Sequence, residues 1–242
     1  MTRIGIIGAM DSEVDNLITR MEGVTDQVVA GRRFSVGRLA GQEVVVAKSG
    51  IGKVAAAITA QLLIDRFEVD ALFNTGMAGG LDSRLEVKDL VVATAALQHD
   101  FDLTAFGHAP GYLYGEDDTR ATLFSADSAL VELALATAAE VLPTGSKAIP
   151  GIVASGDIFV DDSALKGRLI AQFGAAAAEM EGAAIAQVAE ANGIPFLVLR
   201  TISDLAEKEA HVSFDELERY VGVLAGDITV ALLQKITENT HN

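Results

Sequence analysis

Residues 173–204 read FGAAAAEMEGAAIAQVAEANGIPFLVLRTISD, and the placing of charges among apolar runs in this stretch decides the fold class. Ala175 to Ala178 form a small apolar run that ends at Glu179. The spacing from about Gly182 to Ala191 predicts a helix, closed by Asn192-Gly193, a helix-terminating pair. Pro195 opens the next element. Phe196-Leu197-Val198-Leu199 is unbroken apolar sequence, as expected of a strand covered on both faces of a parallel sheet, and it runs into Arg200, Ser203 and Asp204. The unit is strand, helix, strand. Glu181 then lies just past the end of one strand, and Arg200 and Asp204 at the end of the next. That is the carboxyl edge, where open α/β sheets bind ligands. A purely structural explanation stays open here, because an acid in a first helical turn suits the helix dipole and Arg200 and Asp204 could pair with each other.

The same grammar recurs upstream. Arg3 to Ile7 is a buried strand ending at Gly8-Ala9-Met10, and Asp11-Ser12-Glu13 supplies a helix cap with acids in its first turn. Glu13 therefore also sits at a strand's carboxyl end, either for the dipole or for chemistry. Phe34, Val36 and Leu39 alternate with polar residues, Gly41-Gln42 turns, and Glu43 to Ala47 continues, which predicts a hairpin. The loop Lys48-Ser49-Gly50-Ile51-Gly52-Lys53 follows. It is not a phosphate-binding P-loop, since Val46 and Val54 stand where that motif needs glycine and Ser or Thr. Gly50, Gly52 and Ala55 satisfy a loose G-x-G-x-x-A before a helix over 54–67, a pattern that a plain strand-to-helix turn also satisfies.

Ala71 to Phe73 is a short strand leading into Asn74-Thr75-Gly76-Met77-Ala78-Gly79-Gly80, whose glycines admit close approach of a ligand or another backbone. Asp89 to Ala93 gives another strand. The loop from His99 to Asp118 holds Phe101, Phe106, Tyr112 and Tyr114, a concentration of aromatics typical of a functional or partner-packed loop. A helix follows from Ser125 to Val141. Ile152 to Ala154 runs into Ser155-Gly156-Asp157-Ile158-Phe159, where Phe159 is either a core residue or a stacking surface for a base. Ser213-Phe214-Asp215-Glu216 forms a capping box for a last helix reaching about Ile236.

Composition narrows the class. A chain of 242 residues accommodates one α/β domain, residues 1–242, with a substantial core. No stretch reads as long enough and apolar enough to span a bilayer, and the first residues lack a signal peptide's layout, so a soluble cytoplasmic protein is expected. With no cysteine and four scattered histidines, disulfides and a bound metal are not expected. A formal net charge of −16 disfavours a nucleic-acid partner and favours a small neutral or cationic ligand.

Taken in order, G-I-I-G-A-M with Glu13, K-S-G-I-G-K, N-T-G-x-A-G-G-L, H-D-x-D-x-T-A-F-G, S-G-D-x-F, E-M-E-x-x-A-I-A, and R-x-I-S-D with H-x-S-F-D-E resemble the 5′-methylthioadenosine/S-adenosylhomocysteine nucleosidases nearly end to end. The resemblance implies a three-layer α/β/α sandwich around a mixed twisted sheet, assembled as a homodimer, with no cofactor. It implies hydrolysis of an N-glycosidic bond through an oxocarbenium-like transition state, for which carboxylates divide the labour. On that resemblance Asp204 is the general acid toward adenine N7 and Glu13 activates the water. Glu181 grips the ribose hydroxyls, and Arg200 helps hold the water and orient that carboxylate.

Phe159 would stack on adenine, backbone groups of Val160 would read its Watson–Crick edge, and Ser203 and Gly79 belong to the same binding set. Met10, Ile51, Met180 and Phe214 would line the ribose and 5′-thio pocket, with Leu103 and Phe106 entering from the neighbouring subunit. Met77 stands where many members carry serine, and 108–116 departs from the family pattern at the wall facing the 5′ substituent. The rivals are a 6-amino-6-deoxyfutalosine nucleosidase, a purine or uridine phosphorylase of the same fold, and a nicotinamide-binding dehydrogenase resting on the loose glycine motif alone.

Overall fold

Every central strand divides its residues between two cores. Ile4 and Ile6, Val44 and Val46, and Leu197 and Leu199 enter one, while Ile7, Val45 and Ala47, and Phe196 and Val198 enter the other. Successive side chains of a strand point to opposite faces, so a strand covered on both faces is apolar without interruption. This is the physical origin of the unbroken runs in the sequence.

The structure, a computed structural model, describes residues 3–204 and 214–240. In chain order the first half comprises β1 (Arg3–Gly8), α1 (Asp11–Thr19), β2 (Glu22–Val29), β3 (Arg32–Leu39), β4 (Gln42–Lys48), α2 (Lys53–Phe67), β5 (Ala71–Gly80) and β6 (Leu90–Gln98). The second half comprises β7 (Phe124–Ser125), α3 (Ser128–Val141), β8 (Ala148–Ser155), α4 (Ser163–Phe173), β9 (Ala175–Glu179), α5 (Gly182–Asn192), β10 (Phe196–Asp204) and α6 (Phe214–Thr240).

The mixed sheet has helices on both sides, the α/β/α layering expected. α1, α3 and α6 pack on one face through residues such as Leu17, Val131 and Ile228, and α2 and α5 cover the other through Ala60, Leu63 and Ile185. The pairings also close a circuit that was not expected. β5 pairs β10, β10 pairs β6, β6 pairs β8, β8 pairs β9, and β9 returns to β5. Beyond this ring the sheet continues through β1, β4, β3 and β2. Closure brings the carboxyl ends of β5, β9 and β10 together with the end of β1, which is where the candidate site forms.

Several expectations need correcting. No strand was expected at 22–29, because almost all of β2 is exposed and carries no apolar face. No helix was expected over α4, although Asp162 accepts from the N–H groups of Ala164 and Leu165 and Gly174 ends it with φ 61°. The helix expected from Ser125 begins at Ser128, where Asp127 accepts from Leu130 N at 2.9 Å, and Ser125 belongs to β7. One stretch does have the length and composition of a membrane-crossing helix, Arg219–Asn239 in α6, contrary to the sequence reading. More than half of it is buried against the sheet and α1 and α3, the setting of a core helix. Ser213 of the expected capping box lies outside the described residues.

Candidate active site

Glu13 sits in the first turn of α1, and the turn is built around its carboxylate. Oε2 accepts from the N–H groups of Ala9 (2.6 Å) and Met10 (3.1 Å), and Oε1 accepts from Met77 N (3.0 Å) across the gap to β5. Exposed N–H groups at a helix start favour an anion, and here the protein supplies its own. The residue is 2% exposed. Burial pushes its pKa up, against the opposing pull of the Arg200 charge and the three backbone donors.

Arg200 explains how so much charge can be kept together. It is wholly buried in β10, and its Nη2 donates to Asn74 Oδ1 and to Glu179 Oε2, with Glu181 Oε2 at 3.5 Å. The sequence left open a pairing of Arg200 with Asp204; the guanidinium instead lies on Glu179, which was expected only to end an apolar run. Glu179 is a hub. Its oxygens accept from Ser155 Oγ and Arg200, from the N–H of Glu181 (3.0 Å), and from the N–H of Gly182 (2.8 Å). The signal for it was present in E-M-E, but only the fold turns both acids of that tripeptide inward.

One guanidinium thus faces three buried carboxylates: Glu13, Glu179 and Glu181. Glu181, whose Oε1 accepts from Gly52 N at 2.9 Å, is pushed up to about 7 by burial first and by the Glu179 charge second. Gly76 makes this packing possible. A Cβ there would collide with the Arg200 guanidinium and the Glu13 carboxyl group.

Asp204 ends β10 beside a register shift between Ile202 and Asp204. Bulges of this kind re-aim a strand's last side chains. Ser203 Oγ donates to Asp204 Oδ2 at 2.8 Å. The 156–160 segment contributes Ile158, Phe159 and Val160 to the same space, with Phe159 exposed and Val160 buried. That segment is tied down by a lattice of contacts. Lys53 Nζ meets Asp100 Oδ1 at 2.5 Å and Gln98 Oε1 at 3.0 Å; Asp157 N donates to Asp100 Oδ2, and Lys53 N to Asp157 Oδ1, both at 2.8 Å.

These groups surround a cavity of about 220 Å³. Met10, Glu13, Ile51, Gly79, Phe159, Val160, Met180, Glu181, Ser203 and Asp204, all singled out in the sequence, line this one cavity together with Met77, Ile158 and Glu179. Arg200 lies beneath, touching the carboxylates rather than the cavity. Leu103 and Phe106 do not line it; Phe106, on a single 3₁₀ turn over Thr104–Phe106, is 79% exposed. The side chain of Phe214 lies outside the described residues. Its lining combines four acids, Glu13, Glu179, Glu181 and Asp204, with the ring of Phe159 and several aliphatic and thioether side chains, which suits a ligand that has both polar hydroxyls and apolar parts.

The model of the phosphorylase superfamily matches residues 3–235. The 5′-methylthioadenosine/S-adenosylhomocysteine nucleosidase of Halalkalibacterium halodurans is 40% identical over 98% of this chain and 100% of its own length. The solved nucleosidase of that name from Colwellia psychrerythraea, in complex with adenine, superposes with a TM-score of 0.88 at 40% identity, covering 96% of this chain and 94% of that one. The futalosine hydrolase of Helicobacter pylori superposes with a TM-score of 0.87 at 35% identity, covering 97% and 98%.

Proposed function

The chain belongs to the phosphorylase superfamily and, within it, to the 5′-methylthioadenosine/S-adenosylhomocysteine nucleosidases, and on that premise we propose how its own residues carry out the reaction. The activity is hydrolysis of the N-glycosidic bond of 5′-methylthioadenosine and S-adenosylhomocysteine. Water bonds to C1′ of the ribose as the C1′–N9 bond breaks, and the bonding pair leaves with adenine. Asp204 gives its proton to N7 of the departing base, and Glu13 takes one from the water. Adenine and the 5′-thioribose are released.

The division of roles follows from environment. A buried carboxylate with a raised pKa is a better proton acceptor at neutral pH than an ordinary one, which suits Glu13 as the base. Asp204 lines the same cavity as Phe159, whose exposed ring offers a face for adenine to stack on. Glu181 takes the ribose hydroxyls, and Arg200 holds Glu179 and Glu181 in place. The observation that carries hydrolysis over phosphorolysis is the Glu13 carboxylate on the N–H groups of Ala9, Met10 and Met77. Those donors would otherwise serve an anionic nucleophile, and a fixed acid repels phosphate.

The enzyme works as a single domain in the cytoplasm and as a homodimer. Ile51, Val54, Ile58, Phe101 and Phe106 are all exposed apolar side chains on neighbouring loops and α2, a patch that a second copy would cover. Leu103 and Phe106 then reach the partner's cavity. A second reading, cleavage of 6-amino-6-deoxyfutalosine, uses the same acids, and the likeness to the Helicobacter pylori hydrolase and the thioether of Met77 in the cavity wall favour it. The test is adenine release from the three nucleosides under one set of conditions. Turnover of the two thioadenosines is expected; release from the futalosine derivative alone would replace the first reading with the second.

A further inference from the structure

Ile158, Phe159 and Val160 line the cavity, yet among the described residues their backbone N–H and C=O groups make no hydrogen bond to the rest of the backbone. A segment that keeps those groups free can offer them to a ligand, as reading the edge of a base requires, but it cannot fix its own position. The position has to come from the residues on either side. Downstream, Asp162 is held as the cap of α4 by the N–H groups of Ala164 and Leu165. Upstream, Gly156 N donates to Glu179 O at 3.1 Å, and Asp157 is held through both its backbone and its side chain.

Both holds on Asp157 lead to Lys53, the first residue of α2 and the last of the K-S-G-I-G-K motif. The N–H of Lys53 donates to Asp157 Oδ1 at 2.8 Å. Its ammonium, 2.5 Å from Asp100 Oδ1 and 3.0 Å from Gln98 Oε1, fixes the carboxylate whose other oxygen accepts from Asp157 N at 2.8 Å. The Lys53 and Asp100 side chains are each only 15% exposed. Burial alone would push Asp100 up, but the Lys53 ammonium and the Asp157 N–H hold it below the usual carboxylate range. Gly52, one residue earlier, sends its N–H to Glu181 Oε1 at 2.9 Å. Two consecutive N–H groups at the start of α2 therefore go to the acid assigned to the ribose and to the segment assigned to the base, satisfying donors that a helix start leaves without intrahelical partners.

We propose that Lys53 is a positioning residue for the nucleobase, its ammonium setting through Asp100 and Asp157 where Phe159 and Val160 stand. This rests on the nucleosidase reading, in which adenine lies on those two residues. The N–H groups of Gly52 and Lys53 belong to the backbone and survive a substitution at 53, so loss of the ammonium leaves the hold on Glu181 intact and loosens the base segment. Contacts to the base are made in the bound substrate as well as in the transition state, and a loss of such uniform binding appears chiefly in KM.

Adenine release from 5′-methylthioadenosine, its inhibition by added adenine, and a melting curve are measured for wild type, Lys53→Met and Asp100→Asn. Methionine keeps the length of the side chain without its charge. Asparagine breaks the link from the other end and leaves no buried anion unpaired, so it keeps the test open if the methionine variant is unstable. In each variant KM and the adenine inhibition constant are expected to rise together about tenfold, as for loss of one charge-assisted link, while kcat stays within about threefold. A purely structural role gives another pattern, because fewer folded molecules lower kcat and leave KM and the adenine constant where they are. That pattern, or unchanged constants in folded variants, would overturn the positioning role. A wild type that releases no adenine from the nucleoside would instead overturn the nucleosidase reading, and the role of Lys53 with it.

Discussion

Glu13→Gln isolates the charge of the proposed base from its shape. The carboxylate accepts two N–H bonds on Oε2 and one on Oε1. An amide can keep its oxygen toward Ala9 and Met10 only by turning its NH₂ on Met77 N, so one donor faces another. An unsatisfied buried donor costs roughly 1–3 kcal/mol. Against that, the variant leaves Arg200 with two buried carboxylates instead of three and removes a charge that burial disfavours. The two effects oppose each other, and the net change in stability is expected to stay within about 1–2 kcal/mol. Turnover has no such compensation, since an amide cannot accept the proton of water. Loss of a general base costs about 10²–10⁴ in rate, or roughly 3–5.5 kcal/mol of barrier. Initial rates of adenine release, with a melting curve on the same sample, separate the two. A folded Glu13→Gln enzyme with near-normal turnover would remove Glu13 from the proton transfer.

Gly76→Ala is expected to cost at least about 100-fold in turnover, because its Cβ must displace Glu13 or Arg200, while Gly167→Ala, with open space around it, serves as an unaffected control. Glu181 predicts a pH dependence of stability. Its folded pKa of about 7 lies above the 4.5 of an ordinary glutamate, so the native state binds the extra proton and stability falls as pH rises from about 4.5 through about 7. Glu181→Gln is expected to flatten that fall, by at most roughly 3 kcal/mol in denaturant titrations; an unchanged slope would show that the site does not hold Glu181 as described. Phe106→Asp is expected to weaken the dimer and activity together, as a charge enters an apolar contact, and a fully active wild-type monomer in sedimentation would refute this.

What the sequence makes legible follows from locality. The apolar runs at Ile4–Ile7, Val44–Ala47 and Phe196–Leu199 mark strands covered on both faces, and the pair Asn192-Gly193 and the first-turn acids Asp11 and Glu13 mark helix ends, although the N-cap of α1 is Met10 rather than Asp11, because each signal is carried by neighbours in the chain. β2 escapes because Thr25, Asp26 and Gln27 face solvent and need no pattern. The ring escapes because β10 closes it by pairing with residues more than a hundred positions away, as in Leu197↔Phe73 and Leu199↔Val92. At the site, Glu13, Glu181 and Asp204 are recognisable as acids at strand ends, and the ordered motifs give them roles. Glu179 is not, since its burial under Arg200 depends on β9 and β10 meeting across that ring. The anion-like seat of Glu13 is half local, through Ala9 and Met10, and half tertiary, through Met77.

The central claim is that water, not phosphate, is the nucleophile, because a fixed carboxylate occupies the place an anion would take. The direct measurement is adenine release from 5′-methylthioadenosine in phosphate-free buffer, with the sugar product identified in parallel reactions containing added phosphate. Undiminished release, and free 5-methylthioribose as the sole sugar in both, is the expected result. Release that stops without phosphate, or a ribose 1-phosphate that accumulates with it, would contradict the account and the role assigned to Glu13.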